Sequence, residues 1–315
     1  MREIPLSAIE DAARAIYDPV VRTPVIPLGP RILLKLETLQ PIGSFKIRGA
    51  ANAMARMAPD ALARGVLTAS AGNMAQGLAW CARERGVTCT VVAPDTAPAT
   101  KLEAIERLGG RVIQVPFERW WQTFQDRAYT GVDATFIHAF DDPDVMAGNG
   151  TIGLEILEDL PDVETVVIPW GGGGLTCGIA SALRSLKPAC RVFAAEVETA
   201  APLAASLAAG SPQQVEYRPS FIDGIGSKTV FPQMFERARR LVDGALVATV
   251  AEIAAALALM VERNCVIAEG AGACALAAAL AGRAGRGKVV CIVSGGNIDV
   301  SKLCDVLSGP LRPNP

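Results

Sequence analysis

The chain has little histidine, few aromatic residues and no excess of charge of either sign. Its 315 residues include a single histidine, His138, and carry a formal net charge of −2 at pH 7. One histidine leaves little material for a zinc site. The charge balance gives no electrostatic reason to expect a nucleic acid or an anionic membrane as a partner. The composition therefore favours a soluble enzyme that acts on a small molecule.

The sequence also lacks CxxC pairs, a signal peptide and a membrane-spanning run. Its eight cysteines are scattered, and Cys89, Cys190 and Cys291 lie in apolar runs typical of strands. This distribution is typical of buried thiols in a reducing compartment. The N-terminal segment is amphipathic without the apolar core of a signal peptide, and charged residues interrupt the alanine-rich stretch 249–281. We therefore expect a cytoplasmic protein.

Short β-branched runs alternate with helical patterns along most of the chain. The predicted strands are 65–70, 87–94, 111–116, 135–140, 164–170, 190–196 and 288–296, and the main predicted helices are 73–85, 98–109, 146–159, 175–186, 250–263 and 270–281. Strand, turn and helix repeated in this order predict an α/β fold with mostly parallel sheets covered by helices.

The most informative turn is "GGGGL" at residues 171–175, which follows a predicted strand and precedes a helix. Successive glycines let backbone N–H groups surround an anion at a helix N-terminus, where the helix dipole also favours negative charge. The spacing is neither the GxGxxG dinucleotide fingerprint nor a P-loop. The turn therefore predicts a phosphate site, with a tight flexible turn as the alternative.

Two more turns follow predicted strands and carry polar side chains. In "SAGN", Ser70, Ala71, Gly72 and Asn73 offer free N–H groups for a carboxylate, although helix capping by Ser70 or Asn73 is the alternative. In "SGGN", Ser294 can hydrogen-bond a heterocyclic nitrogen, although an ordinary strand-to-helix turn is the alternative.

Lys46 lies among small and apolar residues in "IGSFKIRGA", at the predicted opening of a helix. A solvated helix lysine is the ordinary interpretation of such a residue. Apolar neighbours, however, lower the pKa of a lysine and make its amine available as a nucleophile or base near neutral pH.

A phosphate site, a lysine amine and two polar turns at strand ends fit one cofactor, pyridoxal phosphate, which has a phosphate, an aldehyde and a ring nitrogen. The motifs "SFKIRGA", "SAGNMAQG", "GTIGLEILEDL", "GGGGL", "EGAGA" and "SGGNID" resemble, in order and over nearly the whole chain, those of the fold-type II pyridoxal-phosphate enzymes. The resemblance is to the threonine/serine dehydratase and serine racemase group.

The resemblance implies a two-lobed fold like that of the tryptophan synthase β subunit. The large cofactor-binding lobe would comprise residues 1–51 and 145–315, and a small mobile lobe residues 52–144. It also implies a homodimer.

The resemblance further implies a role for each motif residue. Lys46 would form the Schiff base and act as the catalytic base, with Phe45 flanking the cofactor. Asn73 would hydrogen-bond the phenolic oxygen, and Ser294 the pyridine nitrogen. The phosphate would be held by Gly171, Gly172, Gly173, Gly174 and Leu175, and the substrate carboxylate by the turn and first helical residues Ser70, Ala71, Gly72, Asn73 and Met74.

The implied reaction is α,β-elimination from a 3-hydroxy amino acid such as threonine or serine. Lys46 would remove the Cα proton, the β-hydroxyl would leave as water, and hydrolysis of the product would give a 2-oxo acid and ammonia. A racemase, a hydroxyectoine-pathway dehydratase and a non-catalytic pyridoxal-phosphate-binding protein are the alternatives.

Departures from the group's pattern refine this prediction. Racemases of the group commonly have a second serine, their second acid–base, where this chain has Ala71, so a dehydratase is favoured. Many relatives have histidine where this chain has Met74. The group's divalent-cation site retains only Glu196, so no metal is predicted, although Glu198 could substitute for a missing carboxylate. The chain ends soon after "SGGNID", so no regulatory domain and no feedback inhibition by isoleucine are expected.

The adjacent tryptophans Trp120 and Trp121 are unusual for the group. Two neighbouring residues cannot share one helix face, so core packing with one exposed or interface ring is the simplest interpretation. A substrate lid or a dimer contact is the alternative.

Overall fold

The computed structural model describes residues 4–309, which form ten strands and thirteen α-helices. The strands are β1 (Val25–Pro27), β2 (Ile32–Leu36), β3 (Val66–Ala69), β4 (Cys89–Pro94), β5 (Gly110–Val115), β6 (Thr135–Phe136), β7 (Thr165–Pro169), β8 (Arg191–Val197), β9 (Gly244–Ala248) and β10 (Val289–Val293). The helices are α1 (Leu6–Ile16), α2 (Lys46–Ala55), α3 (Pro59–Ala63), α4 (Asn73–Glu84), α5 (Ala99–Arg107), α6 (Phe117–Asp126), α7 (Pro143–Asp159), α8 (Gly174–Leu186), α9 (Pro202–Ala209), α10 (Pro232–Leu241), α11 (Val250–Asn264), α12 (Gly270–Leu280) and α13 (Val300–Ser308). A short 3-10 helix covers Glu37–Leu39.

The strands form two sheets. The larger has the order β1-β2-β10-β7-β8-β9, and the smaller has the order β5-β4-β3-β6. Every pairing is parallel except that of β1 with β2. The central strands β7 and β10 are buried along their whole length because helices cover both faces of the large sheet. The predicted α/β fold with parallel-rich sheets is therefore confirmed.

The strand predicted at 135–140 is shorter than expected, since β6 ends at Phe136. The backbone leaves the sheet there because Nδ1 of His138 accepts hydrogen bonds from the N–H groups of Phe140 and Asp141. Strands β1, β2 and β9 were not predicted. In β2 the fully buried Lys35 interrupts the apolar run that would have indicated a strand.

Two hydrophobic clusters cover the faces of the large sheet. One packs α1, α7, α8 and α10 against it, and the other packs α11 and α12. A third cluster joins the small sheet to α2 and α4. The smaller sheet falls within residues 52–144, the predicted small lobe. The two predicted lobe boundaries lie inside helices α2 and α7 and not in loops, and they stay a prediction.

Helices α2 and α7 cross at very short distance. A Cβ on Gly148 would overlap the carbonyl oxygen of Arg48, and one on Gly49 would lie 2.7 Å from the Val145 side chain. Only glycine fits at these two positions. The crossing therefore fixes the start of α2, where Lys46 lies.

A buried ionic network reinforces this crossing. The Arg48 guanidinium donates to Glu37 at 2.7 Å and to Glu155 at 2.6 Å, and Lys35 contacts Glu155 at 2.5 Å. All four side chains are at most 1% exposed. The two cations and two carboxylates compensate one another, which buried charges require. Among residues 4–309, no helix is long and apolar enough to cross a membrane.

Candidate active site

One cavity of about 200 Å³ lies where strands of the two sheets end, and it collects nearly every predicted site residue. Its lining includes Phe45, Lys46, Ser70, Gly72, Asn73, Met74, Gly171, Gly172, Gly173, Gly174, Leu175 and Ser294. Ala71 is the predicted site residue that does not line it. Residues from both sheets therefore converge on one site, as expected at the carboxyl ends of parallel strands.

Lys46 is the first residue of α2, and its amine faces the cavity. Nζ donates to the carbonyl oxygen of Ala139 at 2.8 Å and lies 5.1 Å from the centre of the Phe45 ring. Desolvation lowers the pKa of Lys46 to about 8, although the nearby carboxyl of Glu269 acts in the opposite direction. This amine is not the solvated helix lysine of the ordinary interpretation.

The glycine turn wraps the start of α8. A Cβ on Gly172 would overlap the Phe140 ring, and one on Gly174 would lie 2.8 Å from the Phe140 backbone. Gly173 has φ +92°, where only glycine is unstrained, and Trp170 fills the space beside it. The first amides of a helix have no partner within the helix. The turn can therefore direct N–H groups at an anion in the cavity.

Both ends of the Asn73 side-chain amide are held. Its Nδ2 donates to Glu269 at 2.9 Å, and its Oδ1 accepts from Asn297 at 2.8 Å. Asn297 also donates to the carbonyl of Ile42 at 2.9 Å. Asn73 therefore does not cap α4, and its amide plane is fixed at the wall of the cavity.

The turns that carry Lys46 and Ser294 are joined to each other. The N–H of Phe45 donates to the carbonyl of Ser294 at 3.0 Å, and Ser44 forms a bridge with Gly295. Ser294 is 3% exposed and lines the cavity. Lys46 and Ser294 are therefore held on one rigid unit.

Sequence reasoning missed several residues that line or support the cavity. Glu269 is the most important, since it is 5% exposed and burial raises its pKa to about 7. It belongs to the "EGAGA" motif, which was recognised without a role for its glutamate. The other missed residues are Ala139, Phe140, Pro169, Gly224, Ile225 and Ala271 in the lining, and Asn297 behind it.

Glu196 has its carboxylate engaged by the backbone. Its two oxygens accept from the N–H groups of Leu203 and Ala204 at 2.9 and 2.7 Å, at the start of α9. Glu198 accepts from the N–H of Val250 at 2.9 Å. Within the described range 4–309, no group of three or more histidine, cysteine, aspartate or glutamate side chains could hold a metal ion.

The two adjacent tryptophans pack differently. Trp120 contacts the small apolar cluster against β3 and β4, whereas Trp121 is 36% exposed. Trp121 stacks on Phe124 at 5.5 Å and lies 6.3 Å from Phe231, which precedes α10. Helix α6 thus connects the small sheet to a helix on the large one.

Comparison with known proteins identifies the family. Residues 16–295 match a family described as "Pyridoxal-phosphate dependent enzyme". The chain is 42% identical to an L-threonine ammonia-lyase of Thermotoga maritima, over 97% of this chain and 78% of that protein. It is 36% identical to a catabolic L-threonine dehydratase of Staphylococcus aureus, over 98% and 93% of the two chains. The solved structure of maize serine racemase superposes with a TM-score of 0.87 at 32% identity, over 96% and 97%.

Proposed function

The chain belongs to the pyridoxal-phosphate dependent enzymes, and we propose that it is a lyase that eliminates water from a 3-hydroxy amino acid to give a 2-oxo acid and ammonia. Threonine and serine are the proposed substrates. The observation that carries the proposal is the single cavity in which the Lys46 amine, the glycine turn, Ser294 and the "SAGN" turn meet.

The residues present fit pyridoxal phosphate. The glycine turn forms a cradle that a Cβ would fill, at the N-terminus of a thirteen-residue helix that favours an anion. We propose that Gly171, Gly172, Gly173, Gly174 and Leu175 hold the phosphate through backbone N–H groups. Lys46 would hold the aldehyde carbon, Phe45 would flank the ring, Asn73 would donate to the phenolic oxygen, and Ser294 would face the ring nitrogen.

Bound there, pyridoxal phosphate supplies the electron sink that acidifies the Cα proton of an amino acid joined to it. The chain's own contribution begins with Lys46, whose amine removes that proton. With a pKa of about 8, roughly a tenth of these amines are neutral at pH 7, far more than for an ordinary lysine. Burial thus supplies a base that works near neutral pH.

The "SAGN" turn is proposed to bind the substrate carboxylate. Ser70 accepts from the N–H of Gly72 at 3.2 Å, which shapes the turn, and the first amides of α4 lie beside it. Lys101 on α5, in the proposed small lobe, contacts Asp223, in the proposed large lobe, at 2.8 Å. This ion pair bridges the proposed lobes, and closure there would exclude water from the reaction.

A substrate panel tests the proposal. The purified enzyme is given threonine, serine, phenylserine and 3-hydroxyaspartate, and 2-oxo acid and ammonia release are measured. We expect both products in equal amounts from at least one of threonine and serine. Absence of both products from all four compounds, in enzyme that carries its cofactor, would contradict the proposal.

A racemase is the second candidate, because maize serine racemase shares the fold over nearly all of this chain. Ala71 argues against it, since no serine is present there to serve as a second acid–base. A homodimer and a cytoplasmic location also remain proposals. The first rests on the family resemblance and is tested by light scattering; the second is supported by six buried free cysteines.

A further inference from the structure

His138 is the only histidine of the chain and has no place in the mechanism above. It is 3% exposed and lies two residues after β6, where the chain leaves the small sheet. Its ring packs on Phe124 at 4.5 Å and on Phe140 at 4.6 Å. A buried polar side chain normally has hydrogen-bond partners for its nitrogens.

Nδ1 of His138 accepts two backbone hydrogen bonds. The N–H of Asp141 donates to it at 2.9 Å and the N–H of Phe140 at 3.3 Å. An imidazole nitrogen that accepts carries no proton, so the neutral ring must hold its proton on Nε2. Burial, followed by the charge of Arg127, lowers the pKa of His138 to about 4, which agrees with a permanently neutral ring.

The N–H of Phe140 and the carbonyl of Ala139 belong to one peptide unit. Such a unit is planar, so fixing its N–H end fixes the direction of its carbonyl. That carbonyl is the acceptor for Nζ of Lys46, at 2.8 Å. His138 and Lys46 therefore lie at opposite ends of the same peptide plane.

We propose that His138 is a positioning residue that aims the Ala139 carbonyl at the Lys46 amine and so holds this amine for reaction with the cofactor. The inference rests on the proposed role of Lys46. The same loop carries Phe140 against Gly172 and Gly174, so His138 also supports the wall of the glycine turn.

Two substitutions of similar side-chain shape, His138→Asn and His138→Leu, test the hydrogen bonds that Nδ1 accepts. In His138→Asn, Oδ1 is as many bonds from Cα as Nδ1 of histidine and can accept from both N–H groups. In His138→Leu, a methyl group occupies that place. Both variants lose the ring, so the loss of aromatic packing is shared, and an acceptor at the place of Nδ1 is present in Asn and absent in Leu.

The readout is cofactor capture, which needs no substrate. Each full-chain enzyme is freed of cofactor with hydroxylamine, mixed with pyridoxal phosphate, and followed by absorbance in a stopped-flow instrument. We expect His138→Leu to capture the cofactor roughly tenfold more slowly than His138→Asn, the scale of a lost buried hydrogen bond. Equal rates in the two folded variants would overturn the inference. Failure of the wild type to capture the cofactor would instead contradict the role of Lys46.

The wild-type protein offers a second test that needs no variant. Because the chain has one histidine, ¹⁵N-histidine labelling gives an NMR spectrum with a single imidazole. We expect an unprotonated Nδ1 and a protonated Nε2 from pH 5 to pH 9, in the cofactor-loaded enzyme. A proton on Nδ1, or titration near pH 6.5, would overturn the inference even if His138→Leu failed to fold.

Discussion

The Arg48 guanidinium donates to Glu155 at 2.6 Å in the protein interior. Arg48 lies on α2, two residues after Lys46. Its other side donates to Glu37, so one side chain joins α2, α7 and the 3-10 helix that follows β2. The position of the reactive lysine thus depends on an ion network that does not line the cavity.

Removing the Arg48 cation should lower the free energy of unfolding. In Arg48→Gln, Glu37 and Glu155 lose their main partner, and the free energy of unfolding should fall by about 3–5 kcal/mol. The matched control is Arg239→Gln, which breaks an exposed pair with Glu236 and should cost less than about 1 kcal/mol. Urea denaturation of both variants measures the difference. Similar losses in the two variants would contradict the importance of the buried network.

Gly172→Ala tests the glycine turn. The new methyl group would overlap the Phe140 ring and push the turn away from the position in which its N–H groups face the cavity. We expect at least about tenfold weaker cofactor binding, measured by titration of the apoenzyme. Gly29→Ala is the control, since a Cβ there meets nothing within 4 Å, and it should bind the cofactor as the wild type does.

Cofactor attachment should depend on pH through the Lys46 amine. Only the neutral amine attacks an aldehyde, so the rate should rise with pH and level off above about pH 8, the pKa of this lysine. Rapid mixing between pH 6 and pH 10 gives the profile. A rate that still rises steeply at pH 10 would show an ordinary lysine. Lys46→Ala should attach no cofactor, whereas Lys288→Ala, which removes only an exposed pair with Asp162, should attach it normally.

Glu269 should make the apoenzyme less stable as pH rises. Its pKa is about 7 in the folded protein, above the 4.5 of an ordinary glutamate side chain, so the folded state binds the extra proton between these limits. Stability from this group is complete below about pH 4.5 and is lost as pH rises through 7, by about 3 kcal/mol in total. Glu269→Gln should lose this dependence.

The experiment compares unfolding free energies at pH 5 and pH 8 in the wild type, Glu269→Gln and the exposed control Glu10→Gln. The decline from pH 5 to pH 8 should be smaller by about 2.5 kcal/mol in Glu269→Gln alone. The same decline in all three proteins would refute the raised pKa of Glu269.

The proposed lack of a second acid–base, based on alanine at position 71, predicts slow racemisation. A positioned proton donor or acceptor contributes about 10²–10⁴-fold, so the wild type should interconvert L- and D-serine at least roughly a hundredfold more slowly than it eliminates water. Chiral chromatography after incubation with L-serine measures the ratio. Ala71→Ser should raise racemisation relative to elimination. Comparable rates in the wild type would favour the racemase alternative.

The fold class could be predicted from the sequence because strands, helices and turns are each indicated by short stretches of neighbouring residues. Apolar runs marked β7 and β10, and glycine clusters marked the turns that follow strands. The strand β2 escaped prediction because Lys35 looks like a surface residue until Glu155, distant in sequence, is placed beside it. The predicted length of β6 was too great because the pattern of 135–140 does not show that Nδ1 of His138 accepts hydrogen bonds from the backbone after it.

The site was predicted residue by residue from motifs, and the geometry brought those residues together with the exception of Ala71. Glu269 and Asn297 lay inside recognised motifs, yet their relation to Asn73 depends on contacts across 196 and 224 residues of sequence. Such contacts arise only when the two sheets meet, so no periodicity or spacing indicates them.

The packing of Trp170 beside Gly173 has an optical consequence. This indole is 2% exposed and adjoins the turn proposed to hold the cofactor phosphate, whereas Trp121 lies at the surface between the two sheets. Buried and exposed indoles emit at different wavelengths. Two of the chain's four tryptophans are therefore placed as native reporters, one beside the proposed cofactor and the other where relative movement of the sheets would change its surroundings. With Trp80 and Trp120 replaced by phenylalanine, these two indoles would report occupancy and closure in one unlabelled sample.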